Sequence, residues 1–315
     1  MAKKQVLSIG EVVLDETVVL KDSLVVGGKS DSQEVSYSVG GPSACASIFF
    51  AKMGYCSVFA TSLAKDKEGY WIKENLERFK VKLVITYQSK TQKNIVLVQL
   101  QSGIRTIVKD SVKSKLVELT TDIYKQPQLI YLDRHQVGVF DQLLTYKNDE
   151  ALIIFDPSVE VSLKNLLILK QLDYPIVPWE FVVCWSKDRL EVGSSKLRRF
   201  LKKDYIITVA EFGALLVKEN SVKVFPAYDI KPVDVLGAGD IFRAAFGYAL
   251  LERKTLDQAI DFANKVSALQ CLKKGNSSAI PNKSEIEGFR ANLKQLDLKT
   301  IFISLNQYNY EKQKT

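Results

Sequence analysis

Short apolar, β-branched runs alternate with stretches of helical spacing along most of this chain, and no other feature constrains its fold as strongly. The runs are Val6-Leu7-Ser8-Ile9, Leu129-Ile130-Tyr131-Leu132, Leu152-Ile153-Ile154-Phe155, Phe181-Val182-Val183 and Tyr205-Ile206-Ile207-Thr208-Val209. Between them, Ser43 to Met53, Glu68 to Phe79, Val139 to Tyr146 and Ser194 to Leu201 place apolar side chains at helical intervals. Uninterrupted apolar strands are buried on both faces, so the pattern predicts an α/β protein whose mainly parallel sheet is covered by helices on both sides. Two stretches, near residues 12–39 and 84–109, break the rhythm. In Asn94-Ile95-Val96-Leu97-Val98-Gln99-Leu100 and Arg105-Thr106-Ile107-Val108 the pattern alternates, and Gln101-Ser102-Gly103 marks a hairpin turn. Neither stretch runs directly into a helix, so both are assigned to one small antiparallel sheet attached to the body, placed to act as a lid. Helical patterning resumes from Ala238 to Leu251 and from Leu256 to about Leu272. Residues 1–295 are expected to form the domain, and 296–315 a peripheral tail.

Composition narrows the class. With 46% hydrophobic residues among 315, the chain can bury a large core. No apolar run approaches the roughly 18 residues of a membrane span, and the two lysines at the start lead straight into a strand pattern, so a cytoplasmic protein without a membrane role is expected. Cys45, Cys56, Cys184 and Cys271 are widely spaced and His135 is the single histidine, which argues against a zinc cluster. The net charge of +8 is scattered rather than gathered into basic blocks, so nucleic acid is not the expected partner. It suits anionic substrates such as nucleotides.

Asp234-Val235-Leu236-Gly237-Ala238-Gly239-Asp240-Ile241-Phe242 stands immediately before an apolar helical run. Small residues at a helix start let backbone N–H groups approach an anion, where the helix dipole favours negative charge. A carboxylate in the first turn, Asp240, faces the same space and can take a proton from an attacking hydroxyl. Alternatively, the four residues form a tight turn whose Asp caps a helix.

The longer string resembles the second signature of the ribokinase-like (PfkB) carbohydrate kinases, and the resemblance extends over nearly the whole chain. It implies the ribokinase-like fold, ATP and Mg²⁺ as cofactors, and transfer of the γ-phosphoryl group to a sugar hydroxyl. Gly237, Ala238 and Gly239 then form the anion hole and Asp240 is the base. Gly10-Glu11-Val12-Val13-Leu14-Asp15 is similar to the family's first strand, which implies that Asp15 binds substrate hydroxyls. Gly40-Gly41-Pro42-Ser43-Ala44-Cys45 is similar to its first signature, placing Gly40, Gly41 and position 45 at the sugar; Cys45 stands where the family usually has Asn. Ser102-Gly103-Ile104-Arg105-Thr106-Ile107 resembles the lid strand of ketohexokinase-like members, with Arg105 facing substrate, and Asp133 and Arg134 fall at a strand end near it.

On the nucleotide side, Thr208-Val209-Ala210-Glu211-Phe212-Gly213 resembles the family's Thr-x-Gly-x-x-Gly segment, with Ala210 in place of its first glycine. Asn264 falls on the helix that flanks adenine. The Asn-x-x-Glu that organises magnesium has no intact copy, leaving Asp188 or Glu180 as the candidate acid. Many relatives pair through the lid, so a homodimer is an expectation. The rival readings are a nucleoside or sugar-phosphate kinase of the same fold, and a binding protein that has lost efficient chemistry. Gly27-Gly28-Lys29-Ser30 lacks the first glycine of a Walker A loop.

Overall fold

The computed structural model describes residues 4–99, 105–110 and 112–312. Its central sheet is wholly parallel, in the spatial order Lys82–Tyr87, Cys56–Leu63, Gln5–Ile9, Leu129–Asp133, Leu152–Asp156. Successive residues of the middle strand serve opposite faces. Val6 joins one core with Phe49, Phe50 and Phe246, under the helices Pro42–Lys52, Ala238–Leu251 and Leu256–Gln270. Leu7 and Ile9 join the other, with Phe140, Phe181 and Leu197. The two cores make the three-layer body that the alternation predicts. A second sheet of four strands follows, in the order Ile176–Pro178, Tyr205–Thr208, Gly213–Val217, Val222–Pro226.

The lid sheet runs in the order Ser32–Gly40, Val13–Leu20, Lys93–Gln99, Arg105–Lys109. It corrects the expectation in two respects. Residues 84–87 belong to the edge strand of the central sheet, and the lid's inner pair, Val13–Leu20 with Lys93–Gln99, is parallel. The expected hairpin turn at Gln101-Ser102-Gly103 lies outside the described residues.

Two further expectations fail. Phe181-Val182-Val183 is not a strand but the middle of the helix Trp179–Ser186, launched after Pro178. Its three apolar side chains are buried together, and a short apolar run carries no periodicity that separates strand from buried helix. The tail is not peripheral. The helix Leu298–Lys312 buries Ile301, Phe302 and Leu305 in the second core. No helix among the described residues is long and apolar enough to cross a membrane.

Candidate active site

The C-terminal ends of the parallel strands, the lid and the start of the helix Ala238–Leu251 converge, as expected for ligand sites in open α/β sheets. Gly237 caps that helix with φ of 75°, in the left-handed region, and a Cβ there would collide with Asn276 Oδ1. The preceding turn is pinned by Asp234, whose carboxylate accepts from Leu236 N at 2.7 Å and Gly275 N at 3.0 Å. Ala238 N–H turns back to the Val235 carbonyl, at 3.3 Å. The amides of Gly237, Gly239 and Asp240 meet no acceptor among the described residues. The open donors at the helix start are therefore those of Gly237, Gly239 and Asp240, with Ala238 contributing its small size rather than its amide.

Ala238 and Gly239 form one wall of a cavity of about 350 Å³. Thr208, Ala210, Glu211, Gly213 and Asn264 all line it too, so the structure brings together every residue the sequence assigns to the nucleotide. Tyr228, Ile230, Val235 and Phe242 give it an apolar side that fits a purine ring. Asn264 is less available than expected, because its Nδ2 donates to the Phe225 carbonyl at 3.0 Å and that of Pro226 at 3.4 Å. Ala210 sits at φ of 50°, a conformation that suits the glycine the family carries there. Lys294, which the sequence did not single out, closes the cavity with Nζ on the Glu211 carbonyl at 3.1 Å.

On the lid side, Ser38, Asp15, Asn94 and Lys109 stand in register across the four lid strands. Side chains directly opposite one another share a face. The Asp15 carboxylate accepts from Asn94 Nδ2 at 2.9 Å and fills the space that any Cβ on Gly40 would need. Burial pushes Asp15 up to about 6, against the lowering effects of Asn94 and Lys109. Gly41, at φ of 105°, opens the helix Pro42–Lys52, where a Cβ would strike the Glu11 carbonyl. Cys45 is fully buried one turn later, and its Sγ donates to Asn276 Oδ1 at 3.1 Å. Burial, with Asp240 and Asp15 close by, pushes its thiol up. The side-chain amide of Asn276 thus lies directly against position 45.

Asp133 departs from its expected role. It is fully buried, and its oxygens accept from the amides of Glu11 and His135, each at 2.9 Å. Burial first, then the Glu11 charge, raises it to about 7. It shapes the loops that follow two strands and does not face open space. Arg134 pairs with Glu160 at 3.0 Å. His135 lies 3.2 Å from Glu11, and burial together with the charges of Arg134 and Lys109 lowers it to about 4, so it is neutral near pH 7. Only the backbone of Arg105 is described, opposite Val98 on the lid edge.

The two candidate metal acids separate. Asp188 pairs with Lys196 at 3.1 Å and lines a different surface cavity with Cys184, Lys187 and Asn306. Glu180 is half-buried in the first turn after the strand Ile176–Pro178, whose last residue pairs with Thr208. No group of three or more His, Cys, Asp or Glu among the described residues could hold a metal ion.

Asp240 stands out in the sequence; its surroundings do not. Asp240 stands close to Asp156, and Arg243 Nη2 lies 3.5 Å from Asp156 Oδ1. Burial and the Asp156 charge push Asp240 up, and Arg243 opposes the shift. Asp156 ends the strand Leu152–Asp156, one residue beyond the apolar run Leu152-Ile153-Ile154-Phe155.

The three-layer body, the lid and the turn at the helix start make up a ribokinase-like fold. Residues 181–283 match the family model described as pfkB family carbohydrate kinase. The Thermotoga maritima ribokinase structure superposes with a TM-score of 0.76 at 24% identity, over 90% of this chain and 97% of that one. An Arabidopsis thaliana ribokinase structure, complexed with ribose and ATP, gives 0.77 at 19%, over 91% and 98%. Among sequence relatives, a Pyrococcus horikoshii protein named provisionally as a sugar kinase is 26% identical, over 89% of this chain and 94% of its own length. The Bacillus subtilis ribokinase is 39% identical over 81 residues, a match spanning 28% of that protein. The chain is thus similar to the ribokinase-like (PfkB) carbohydrate kinases, in sequence over residues 181–283 and in fold over most of its length.

Proposed function

We propose that the chain phosphorylates a hydroxyl of a small sugar, a ketohexose being the first to test, with Asp240 as general base. The observation that carries this reading is the Gly237 turn, whose open amides border the nucleotide cavity while the first-turn carboxylate of Asp240 stands beside them.

The adenine lies on the apolar side of the cavity and the phosphates point to the amides of Gly239 and Asp240, beside Thr208 and Gly213. The sugar lies under the lid, held by Asp15, by the backbone at Gly40 and Gly41, and by the amide of Asn276. Asp240 orients the reacting hydroxyl and removes its proton as the oxygen attacks in line, and the helix-start amides carry charge on the transferring group. A single carboxylate beside Thr208 fits Mg²⁺ better than a resident ion of several acidic ligands, because the phosphates supply most of its oxygens; Glu180 would hold it through water. When bound, Mg²⁺ neutralises part of the phosphate charge.

Asp240→Asn keeps the shape and removes the base. ATP consumption with D-fructose, D-ribose, sugar phosphates and nucleosides is expected to fall roughly 10²–10⁴-fold in the variant for the acceptor that wild type uses. Near-normal turnover would overturn the assignment.

A further inference from the structure

A cation is built into the interior directly behind the helix start. Arg243, one turn past Gly239, is 3% exposed, and the other buried residues of its helix, from Ile241 to Ala249, are all uncharged. A guanidinium in such a place is costly unless its donors are used. Nη1 donates to the Gly239 carbonyl at 3.0 Å, and Nη2 lies 3.5 Å from Asp156 Oδ1, at the end of the strand Leu152–Asp156. The same Oδ1 accepts from Ser158 N at 2.7 Å, which fixes the carboxylate to the loop that follows its strand. Gly239 leaves the guanidinium its room, because a Cβ there would stand 3.3 Å from Nη1.

The Gly239 carbonyl and the Asp240 N–H belong to one planar trans peptide and point in opposite directions. Holding the carbonyl therefore holds the amide, and the Asp240 N–H is one of the open donors at the helix start. A charged donor on the carbonyl also polarises the peptide, which strengthens the N–H on its far side.

We propose that Arg243 is a positioning residue for the helix-start amides: its fork ties the 239–240 peptide to the strand end at Asp156, so that the Asp240 amide is fixed and polarised toward the transferring phosphoryl group. This rests on the reading of the turn as the place of the phosphates. Arg243 is not among the residues that line the nucleotide cavity, so it acts through the peptide and not by contact with the ligand. Helix ends fray, whereas charge that develops in a transition state is stabilised best by donors already in place. Lysine replaces the arginine only in part, because its ammonium is a point charge and gripping a carbonyl and a carboxylate at once takes the planar fork.

The test uses the full chain with ADP bound and inorganic phosphate as the probe, so it needs no sugar. The ¹H and ¹⁵N resonances of the Gly239 and Asp240 amides are followed as phosphate is added, and ADP affinity is measured by calorimetry. In wild type the phosphate is expected to shift both amides. In Arg243→Lys the Asp240 amide resonance moves before any ligand is added, Kd for phosphate rises roughly tenfold, and Kd for ADP stays within about twofold. ATP turnover on an acceptor that wild type consumes falls roughly tenfold to a hundredfold in kcat, with KM for ATP little changed. Arg243→Met loses more on both counts. It also leaves Asp156 buried without its cation, so if it does not fold, Arg243→Met combined with Asp156→Asn, which removes both charges, takes its place.

Phosphate affinity and kcat that keep their wild-type values in Arg243→Lys overturn the proposal. So does a loss in which ADP and phosphate weaken by the same factor, the mark of a helix that has only loosened. Failure of the base assignment reads differently. Asp240→Asn keeps the main-chain amide, so turnover retained in that variant removes the base and leaves the phosphate titrations of Arg243→Lys to decide this proposal. Wild-type amides that phosphate leaves unmoved reject the turn as the place of the phosphates, and the role of Arg243 with it.

Discussion

Asp15 illustrates how a buried carboxylate weakens the fold that holds it. Only 5% exposed, its folded pKa of about 6 lies above the ordinary carboxylate value. The fold therefore favours its neutral form, a contribution complete below about pH 4 and lost as pH rises through about 6. Asp15→Asn cannot lose it. Urea unfolding is expected to show the variant gaining on wild type between pH 4 and pH 8, by up to roughly 2–3 kcal/mol; a constant difference across that range would refute the assignment. Ala210 is a second strained site, at φ of 50°. Ala210→Gly is expected to raise unfolding stability by up to about 1 kcal/mol in the absence of nucleotide, because relief of the left-handed alanine outweighs the added backbone entropy.

At this scale the sequence reveals groups that announce themselves by local pattern, such as Gly237, Asp240 and the Thr208 to Gly213 segment. Asp156, Arg243 and Asn276 were hidden. Each meets its partner far along the chain, and an arginine inside an apolar helical run reads as a surface residue until the fold shows what it faces.

Among the elements, regular helices of amphipathic spacing were legible nearly to the residue. The predicted Ala238 to Leu251 span is the observed helix, and Ser43 to Met53 is displaced by one residue. Failures fell where tertiary contacts decide. The run Phe181-Val182-Val183 has no turn signal to set its class, and the parallel pairing inside the lid depends on a partner some eighty residues away, which alternation cannot specify. The tail from residue 296 seemed peripheral because polar residues dominate it, yet Ile301, wholly buried, anchors its helix. Ile301→Ala is expected to cost about 2–4 kcal/mol by thermal or chemical denaturation. A loss under about 0.5 kcal/mol would return that helix to the periphery.

Across the whole molecule, the segment from Lys274 to Ser278 joins the lid to the turn before the helix Ala238–Leu251, the two parts to which the proposed function assigns the sugar and the phosphates. Lys274 Nζ lies 3.1 Å from Glu34 of the lid, and Ser277 Oγ accepts from Val39 N at 3.2 Å. On its other side Gly275 N donates to Asp234, which pins the anion turn, and Asn276 meets Cys45. On the proposed function, a sugar that settles the lid is expected to change the free energy of nucleotide binding. Thermodynamic reciprocity requires the nucleotide to favour the sugar by the same factor. Calorimetric titration of a non-hydrolysable ATP analogue, with and without the accepted sugar, measures that factor. Ser277→Ala, which leaves the Val39 amide without its acceptor, is expected to bring both reciprocal factors toward one together, so that each ligand binds as though the other were absent.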